Sequence, residues 1–299
     1  MAAGNRPPGR GVCPRGAALV RRVSPASALS SAGPAHRTDG PSRGESRGHV
    51  LHGVGATAGA AAVAGAAAIR GSGLVISNIN AFMMNAIADP RQPYWHPGWT
   101  DPDPHYRAIR REHTKRSLRL AAALGAPAIS TEPGGELAPG QSRGQATDIF
   151  YDEIMPCLDV AAECGVGLLV EPEPGLLIER FEQYLEFADR VRHPALGLNF
   201  DVGHAYCVGD DPAEWVPRMK PHTRHYHVED IAATRVHHHL VPGEGAIDFA
   251  AVLKAIAAHT PDTWITVELY PYRDRPDDAA RAARAHLLGV AAAAGVELA

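Results

Sequence analysis

Four residues that commonly bind metals each follow a short apolar run in the second half of the chain. They are Glu171, Asp201, His227 and Glu268. A charged group directly after an apolar strand costs free energy unless it is paired or coordinated. Taken singly, Asp201 could cap a helix and His227 could be a core histidine. Together, three carboxylates and one imidazole suit a divalent cation such as Mn²⁺, Co²⁺, Mg²⁺ or Zn²⁺, so the pattern predicts one metal site.

The elements that carry these residues alternate between apolar runs and amphipathic segments. Helices are predicted over residues 106–124, from 147 to 164, and over 176–191, 249–259 and 277–295. Between them lie six strand-like runs, at residues 74–78, 127–131, 166–170, 196–200, 224–228 and 264–269. This alternation predicts a parallel sheet covered by helices, either doubly wound or part of an eight-stranded barrel. In a barrel, the carboxyl ends of the strands host the active site.

The first 60 residues differ from the rest, and we expect them to form a separate segment before a domain over residues 61–299. Residues 1–50 are rich in Arg, Pro, Gly, Ser and Ala, and they lack hydrophobic periodicity. Such a composition favours disorder. A transit peptide, a twin-arginine signal at Arg21 and Arg22, or a shifted or mistaken start of the reading frame would each explain it. The last is favoured for a reason given below.

Composition excludes several classes of function. The 299 residues carry a net charge of −4, which argues against a nucleic-acid partner. Four scattered cysteines form no C-x-x-C pair, so a reducing, cytoplasmic setting is expected. Residues 53–69 are mainly Ala and Gly, and they predict a helix outside the membrane.

Several short motifs together resemble the xylose isomerase-like TIM-barrel superfamily, most closely its sugar phosphate isomerase/epimerase branch. They are Glu-Pro-Glu-Pro at 171–174, Asp-Val-Gly-His at 201–204, His-Val-Glu-Asp at 227–230, Pro-Gly-Glu-Gly at 242–245, Ile-Asp-Phe at 247–249, and Glu268. The resemblance covers roughly residues 73–290. It implies an α/β fold, a (β/α)8 barrel in which strands 3–8 are recognisable. Strands 1 and 2 are missing or replaced, which is why a shifted start is favoured.

The resemblance also implies roles for individual residues. The four ligands of the ketose 3-epimerase type match Glu171, Asp201, His227 and Glu268. Glu171 and Glu268 would also transfer a proton next to a carbonyl, through a metal-stabilised enediolate. His204 would hydrogen-bond the developing oxyanion. Further candidate substrate contacts are Glu132, Glu173, Arg235 and His239.

A nuclease branch, that of endonuclease IV, is a more distant match. His237 and His239 align with two of its extra metal ligands, although a histidine-rich stretch can also be a solvated loop. Glu132 and residues 77–80 stand where that branch has ligand histidines, which argues against a role in DNA repair.

The function expected is therefore that of a metal-dependent isomerase or epimerase of a small sugar, a sugar phosphate or a cyclitol. A metal-dependent lyase of the inosose or dehydroshikimate dehydratase type stays open, because the first proton abstraction is shared. An inactive, truncated barrel also stays open. No membrane partner is expected, and a homo-oligomer is possible for barrels of this branch.

Overall fold

The computed structural model describes residues 20–25, 68–69, 71–72, 74–83 and 95–298, and residues 20–25 by their backbone alone. The predicted boundary at residue 60 and nearly all of the apolar run at 53–69 lie outside the described residues. The N-terminal segment is therefore represented only by one strand, Val20–Pro25.

Six strands lie side by side and run parallel, as the alternation of strands and helices predicts. They are β2 (Ile79–Asn80), β3 (Ala128–Thr131), β4 (Gly167–Val170), β5 (Leu196–Asp201), β6 (Thr223–Val228) and β7 (Trp264–Val267). Nearly every residue in them is buried, as expected where a sheet is covered on both faces. These six form a curled half-barrel and correspond to strands 3–8 of the expected TIM barrel.

Strand β1 (Val20–Pro25) continues this sheet in the opposite direction. It pairs antiparallel with β7, where Val20 faces Thr266. It also pairs antiparallel with β8 (Val296–Leu298), where Val23 faces Leu298. A closed barrel would place its first strand next to β7 and parallel to it. The antiparallel β1 therefore replaces that strand, in line with the prediction that the first two strands are missing or replaced.

Seven helices connect and cover the strands in the described part of the chain. They are α1 (Pro104–Leu124), α2 (Arg143–Cys164), α3 (Phe181–Val191), α4 (Val202–Cys207), α5 (Pro212–Met219), α6 (Phe249–His259) and α7 (Pro276–Ala294). Gly125, Gly165 and Gly295 end α1, α2 and α7 in the left-handed conformation, with φ of 75°, 65° and 70°. None of the described helices is both long and apolar enough to cross a membrane.

Three predicted boundaries were wrong. Residues 74–78 are not a strand, because parallel pairing with β3 begins only at Ile79. Helix α2 begins before residue 147, since Ser142 caps it and Gln145 completes a capping box. Helix α3 begins at Phe181, because the preceding residues form a loop in which the Glu173 N–H bonds the Ile178 carbonyl.

Candidate metal centre

Four consecutive strands bring the four predicted ligands together at their carboxyl ends. Asp201 is the last residue of β5 and His227 lies opposite it in β6. Glu171 directly follows β4 and Glu268 directly follows β7. Backbone hydrogen bonds extend the ladder through both glutamates, from Glu171 N–H to the Thr131 carbonyl and from Glu268 N–H to the Val228 carbonyl. Each predicted ligand is therefore held by regular sheet structure.

The four side chains converge on one buried point. Nδ1 of His227 lies 3.0 Å from Oε1 of Glu171, 3.6 Å from Oε2 of Glu268 and 4.0 Å from Oδ2 of Asp201. One ligand atom from each residue lies within 4.8 Å of all the others. Tetrahedral coordination at about 2.1 Å spaces ligand atoms by about 3.4 Å. The observed spacings bracket that value, so the donor set fits one divalent cation.

Burial without a counter-charge shifts the pKa of these carboxyl groups. Burial, and then the charge of Asp201, holds the pKa of Glu171 well above its ordinary value. Burial raises the pKa of Glu268 to about 8, although His227 opposes the shift. Burial would raise the pKa of Asp201 as well, but His204 and Glu229 outweigh it and lower that pKa to about 2. Its Oδ2 atom has no hydrogen-bond partner among the described residues. A cation would satisfy this atom and stabilise the charged form of all three carboxylates.

Three histidines form a second group beside the four ligands. His204, His237 and His239 each offer a ring nitrogen within 4.8 Å of the others. The Nε2 atoms of His237 and His239 are 3.1 Å apart. His238 between them is exposed, so the stretch alternates between a buried and a solvated face. Burial lowers the pKa of His237 to about 4 and that of His239 to about 3. The group is therefore neutral near pH 7.

Backbone carbonyls fix the proton position on two of these rings. Nδ1 of His204 bonds the Pro172 carbonyl at 2.9 Å, and Nδ1 of His239 bonds the Glu268 carbonyl at 3.0 Å. A carbonyl only accepts, so Nδ1 carries the proton and Nε2 keeps its lone pair. The prediction that His204 donates to an oxyanion does not fit this tautomer. Its Nε2 atom is suited to accept a hydrogen bond from a hydroxyl group.

A fourth carboxyl group, that of Glu229, lies against Asp201. Burial and the Asp201 charge raise the pKa of Glu229 well above its ordinary value. Glu229 also forms a candidate ligand group with His239 and Glu268. Gly203 on α4 makes room for it, because a Cβ atom there would overlap the Glu229 carboxyl group.

Two of the remaining predicted substrate contacts, Glu173 and Arg235, lie in different environments. Glu173 is buried, and one of its oxygens, Oε2, lacks a hydrogen-bond partner within the described chain. Burial and the Glu171 charge raise its pKa. Arg235 is exposed on a turn, where it stacks on Tyr206 at 4.2 Å and bonds the Tyr206 carbonyl.

Glu132 follows β3 as predicted, but its side chain is occupied. Arg110 of α1 binds both of its oxygens, and both side chains are fully buried. Arg110 also bonds Thr131 and lies 5.0 Å from the ring centre of Trp99. The carboxylate of Glu132 is thus paired inside the protein. Its pKa is raised by burial, which outweighs the opposing charge of Arg110.

Sequence analysis missed residues that support the ligands. Asn199 and His225 lie on β5 and β6, each two residues before a ligand, and both are fully buried. Strand residues two apart point to the same face, so a polar residue two positions before a ligand was the available signal. Asp230 is also buried, and its carboxylate accepts from the N–H groups of Ile231, Gly243, Gly245 and Ile247.

This arrangement has counterparts among known proteins. The model of a family described as a xylose isomerase-like TIM barrel matches residues 54–289. The chain belongs to this family. The strand-end ligands and the half-barrel are consistent with that membership.

Curated relatives match at low identity over part of their length. The rhizopine catabolism protein MocC of Rhizobium meliloti is 26% identical over 52% of this chain and 53% of its own. A 2-oxo-tetronate isomerase of Pectobacterium atrosepticum is 24% identical over 56% of this chain and 63% of its own. An inosose dehydratase of Geobacillus thermodenitrificans is 26% identical over 40% of this chain and 46% of its own. The chain thus spans less than two thirds of the length of each of these relatives.

Solved structures share the fold. A D-tagatose 3-epimerase-like protein superposes with a TM-score of 0.65 at 20% identity, over 78% of this chain and 84% of the other. The 3-keto-D-glucoside 4-epimerase YcjR of E. coli superposes with a TM-score of 0.63 at 18% identity, over 75% of this chain and 82% of the other. An IolI protein with a bound zinc atom superposes with a TM-score of 0.62 at 19% identity, over 76% of this chain and 80% of the other. At these identities the likeness shows the fold alone.

Proposed function

We propose that this protein is a divalent-metal-dependent isomerase or epimerase that moves a proton next to the carbonyl of a small sugar or cyclitol. One observation carries the proposal: four consecutive parallel strands bring Glu171, Asp201, His227 and Glu268 to one buried point. Ligands on regular strands are held more rigidly than ligands on loops, as a catalytic metal requires. The isomerase and epimerases among its relatives and structural neighbours support the same class of reaction.

These four residues would hold the cation, which is Mn²⁺, Co²⁺, Mg²⁺ or Zn²⁺ on the chemistry of the donors. When bound, it acts as a Lewis acid on a carbonyl oxygen. The zinc in the IolI structure supports a divalent ion in this fold.

Glu171 and Glu268 would carry the proton. They directly follow strands β4 and β7, which lie on opposite sides of β6 and its His227 in the sheet. A substrate between them would present each face of its carbon to one carboxylate. One carboxylate removes the proton and the other returns it on the opposite face. Both side chains are buried, so bulk water does not compete for the proton that they would carry.

The substrate hydroxyl groups would be oriented by the surrounding polar side chains. Nε2 of His204 accepts from one hydroxyl, because Nδ1 is committed to the Pro172 carbonyl. Glu173 supplies a buried carboxyl oxygen that the described residues leave unpaired. His239 and Arg235 are further contacts. Glu132 would act through its pairing with Arg110, by holding the end of β3 in place.

A dehydratase is the second candidate. It is favoured by the inosose dehydratase among the curated relatives. Such an enzyme removes the same proton and then expels a hydroxyl group as water, so the same carboxylates would serve. Incubation with ketoses and with inososes, followed by product analysis, separates the two reactions. Loss of 18 mass units identifies the dehydratase, and an unchanged mass identifies the isomerase or epimerase.

The first test is the metal content of the purified protein by elemental mass spectrometry. We expect about one ion per chain, and its loss in Glu171→Gln and Asp201→Asn. Glu186→Gln, at an exposed position on α3, is the matched control and should retain the ion. Two ions per chain would assign the second to the histidine group. No bound ion, also after addition of each cation, would overturn the proposal.

A further inference from the structure

A chain of buried polar side chains runs beneath the candidate metal centre. Nδ2 of Asn199 donates to Oε2 of Glu171 at 2.5 Å. Oδ1 of Asn199 lies 2.9 Å from Nδ1 of His225. Nε2 of His225 lies 2.9 Å from Oγ1 of Thr266 and 3.3 Å from Oγ of Ser77. The chain therefore joins β4, β5, β6 and β7 and ends on the segment before β2.

The five side chains of this hydrogen-bonded series are each at most 2% exposed; they are Ser77, Glu171, Asn199, His225 and Thr266. Buried polar groups without a partner are costly, so such a chain is stable only when each donor meets an acceptor. Here every link is made. The interior below the site is therefore ordered around these contacts, whereas barrel interiors are more often filled with apolar side chains.

The charged form of Glu171, which is the form that binds a cation, fixes the direction of the hydrogen bonds nearest to it. A carboxylate only accepts, so the Asn199 atom beside it is the amide nitrogen. The amide oxygen then faces Nδ1 of His225, which must carry the ring proton. Nε2 of His225 is left with its single lone pair, which accepts the hydroxyl proton of Thr266 at 2.9 Å, and Ser77 lies farther away at 3.3 Å. In this arrangement the donors point toward the metal centre.

Asn199 contacts two of the predicted ligands at once. Its amide nitrogen lies 2.5 Å from Oε2 of Glu171 and 3.2 Å from Nδ1 of His227. An amide nitrogen is only a donor, so it faces Nδ1 favourably where that atom carries a lone pair. This is the form of the ring that binds a metal. Oε1 of Glu171 is a second neighbour of Nδ1, at 3.0 Å, and it favours a proton on that atom in the absence of a cation. Asn199 stabilises the charged form of the carboxylate, and its amide group favours the ring form that offers the Nδ1 lone pair to a cation.

We infer that Asn199 is a positioning residue of the metal centre, held in place by His225, and that it sets the orientation of Glu171 and His227 before a cation binds. The inference rests on the metal site proposed above. Polar groups that orient metal ligands in this way change metal affinity by about 10- to 100-fold when they are removed. A purely structural role would change the stability of the fold and leave metal affinity unchanged.

Asn78 offers a matched control. It is also a fully buried asparagine of the interior, and its amide donates to Ser130 at 2.9 Å. Its observed partner is not a predicted ligand. Replacing either asparagine by alanine removes the same group from the interior, but only Asn199→Ala removes a contact to the metal centre.

The experiment is calorimetric titration of Mn²⁺ and of Zn²⁺ into the metal-free full chain and its variants, with thermal unfolding of each metal-free protein. We expect Asn199→Ala to weaken binding about 10- to 100-fold while Asn78→Ala binds as the unmodified chain does. Asn199→Ser, too short to reach both Glu171 and His225, should weaken binding similarly and serves if Asn199→Ala does not fold.

Equal affinity in the unmodified chain and a folded Asn199 variant would overturn the inference and leave the proposed metal site intact. An equal loss of affinity in the Asn78 and Asn199 variants would overturn it as well, because the effect would then be general to the interior. If the unmodified chain bound neither cation, both this inference and the proposed function would be overturned.

Discussion

Nδ1 of His227 lies 3.0 Å from Oε1 of Glu171, although 56 residues separate them in sequence. The two residues stand on β6 and β4, with β5 and its Asp201 between them. Without a cation, the negative charge of the buried carboxylates is compensated only by hydrogen bonds from neighbouring amide and imidazole groups. The electrostatics of the centre therefore change with pH and with bound metal, and this has measurable consequences.

The metal-free protein should lose stability as the pH rises from about 7.5 to about 9. Burial raises the pKa of Glu268 to about 8 from an ordinary value of 4.5, so the folded form keeps a proton that the unfolded form releases. Stabilisation from such a group is complete below the ordinary pKa and is lost as the pH rises through the folded value. Buried histidines act in the opposite direction, because their lowered pKa makes the folded form gain stability as the unfolded rings lose their protons near pH 6.5. Above about pH 7.5 this gain is nearly complete, since the rings are then mostly neutral in both states; they include His204, His225, His237 and His239.

Thermal unfolding at about pH 7.5 and about pH 9 checks this prediction, and a loss of about 1 kcal/mol corresponds to about 2–4 °C. Glu268→Gln should unfold with a smaller pH dependence, because glutamine does not titrate. A saturating divalent cation should also reduce the dependence. A metal-free protein that is more stable at about pH 9 than at about pH 7.5 would contradict the prediction.

His204→Gln should impair turnover while leaving one ion bound. The Nε2 atom of His204 is assigned to a substrate hydroxyl, and loss of one hydrogen bond worth about 1–3 kcal/mol lowers kcat/KM about 5- to 150-fold. Steady-state kinetics and metal analysis of the same preparation provide the measurement. His238→Gln, at the exposed neighbour of the histidine group, is the control and should keep full activity. Loss of the ion in His204→Gln would instead make His204 a ligand.

Asp230→Ala should destabilise the fold much more than Asp248→Ala. Both carboxylates accept from backbone N–H groups, but Asp230 accepts four such bonds from a buried position and Asp248 accepts one at the start of α6. We expect a loss of more than about 3 kcal/mol for Asp230→Ala and about 1 kcal/mol for the helix cap. Urea unfolding of the two variants compares them directly. Similar midpoints would refute the role given to Asp230.

Gly203→Ala should destabilise the protein by about 1–3 kcal/mol through overpacking. The added methyl group would overlap the carboxyl group of Glu229, and it would lie 3.1 Å from Cγ1 of Ile231. Glu229→Ala removes this carboxyl group. Gly203→Ala should therefore destabilise the Glu229→Ala variant less than it destabilises the unmodified chain. A double-mutant cycle by urea unfolding measures this coupling. Additive effects would show that the two side chains do not interfere.

The amino-acid sequence alone predicts the parallel strands and the candidate ligands at their carboxyl ends. Apolar runs of four to six residues followed by a carboxylate or histidine identify the parallel strands and the face on which Glu171, Asp201, His227 and Glu268 meet. Local rules are sufficient here, because strand length, burial and the glycine caps at Gly125, Gly165 and Gly295 are properties of neighbouring residues. The motifs around these residues correctly placed the chain in its family.

Only the tertiary structure shows how the ligands are supported and which polar residues are already occupied. Glu132 looks like an available carboxylate in sequence, but Arg110 from another element pairs with it. Asn199 and His225 look like ordinary strand residues, yet their partners lie 26 to 148 residues away in sequence. The reversed direction of β1 beside β7 was equally invisible. In each case the decisive contact joins distant parts of the chain, and such contacts depend on strand order, register and side-chain direction, which local sequence patterns do not encode.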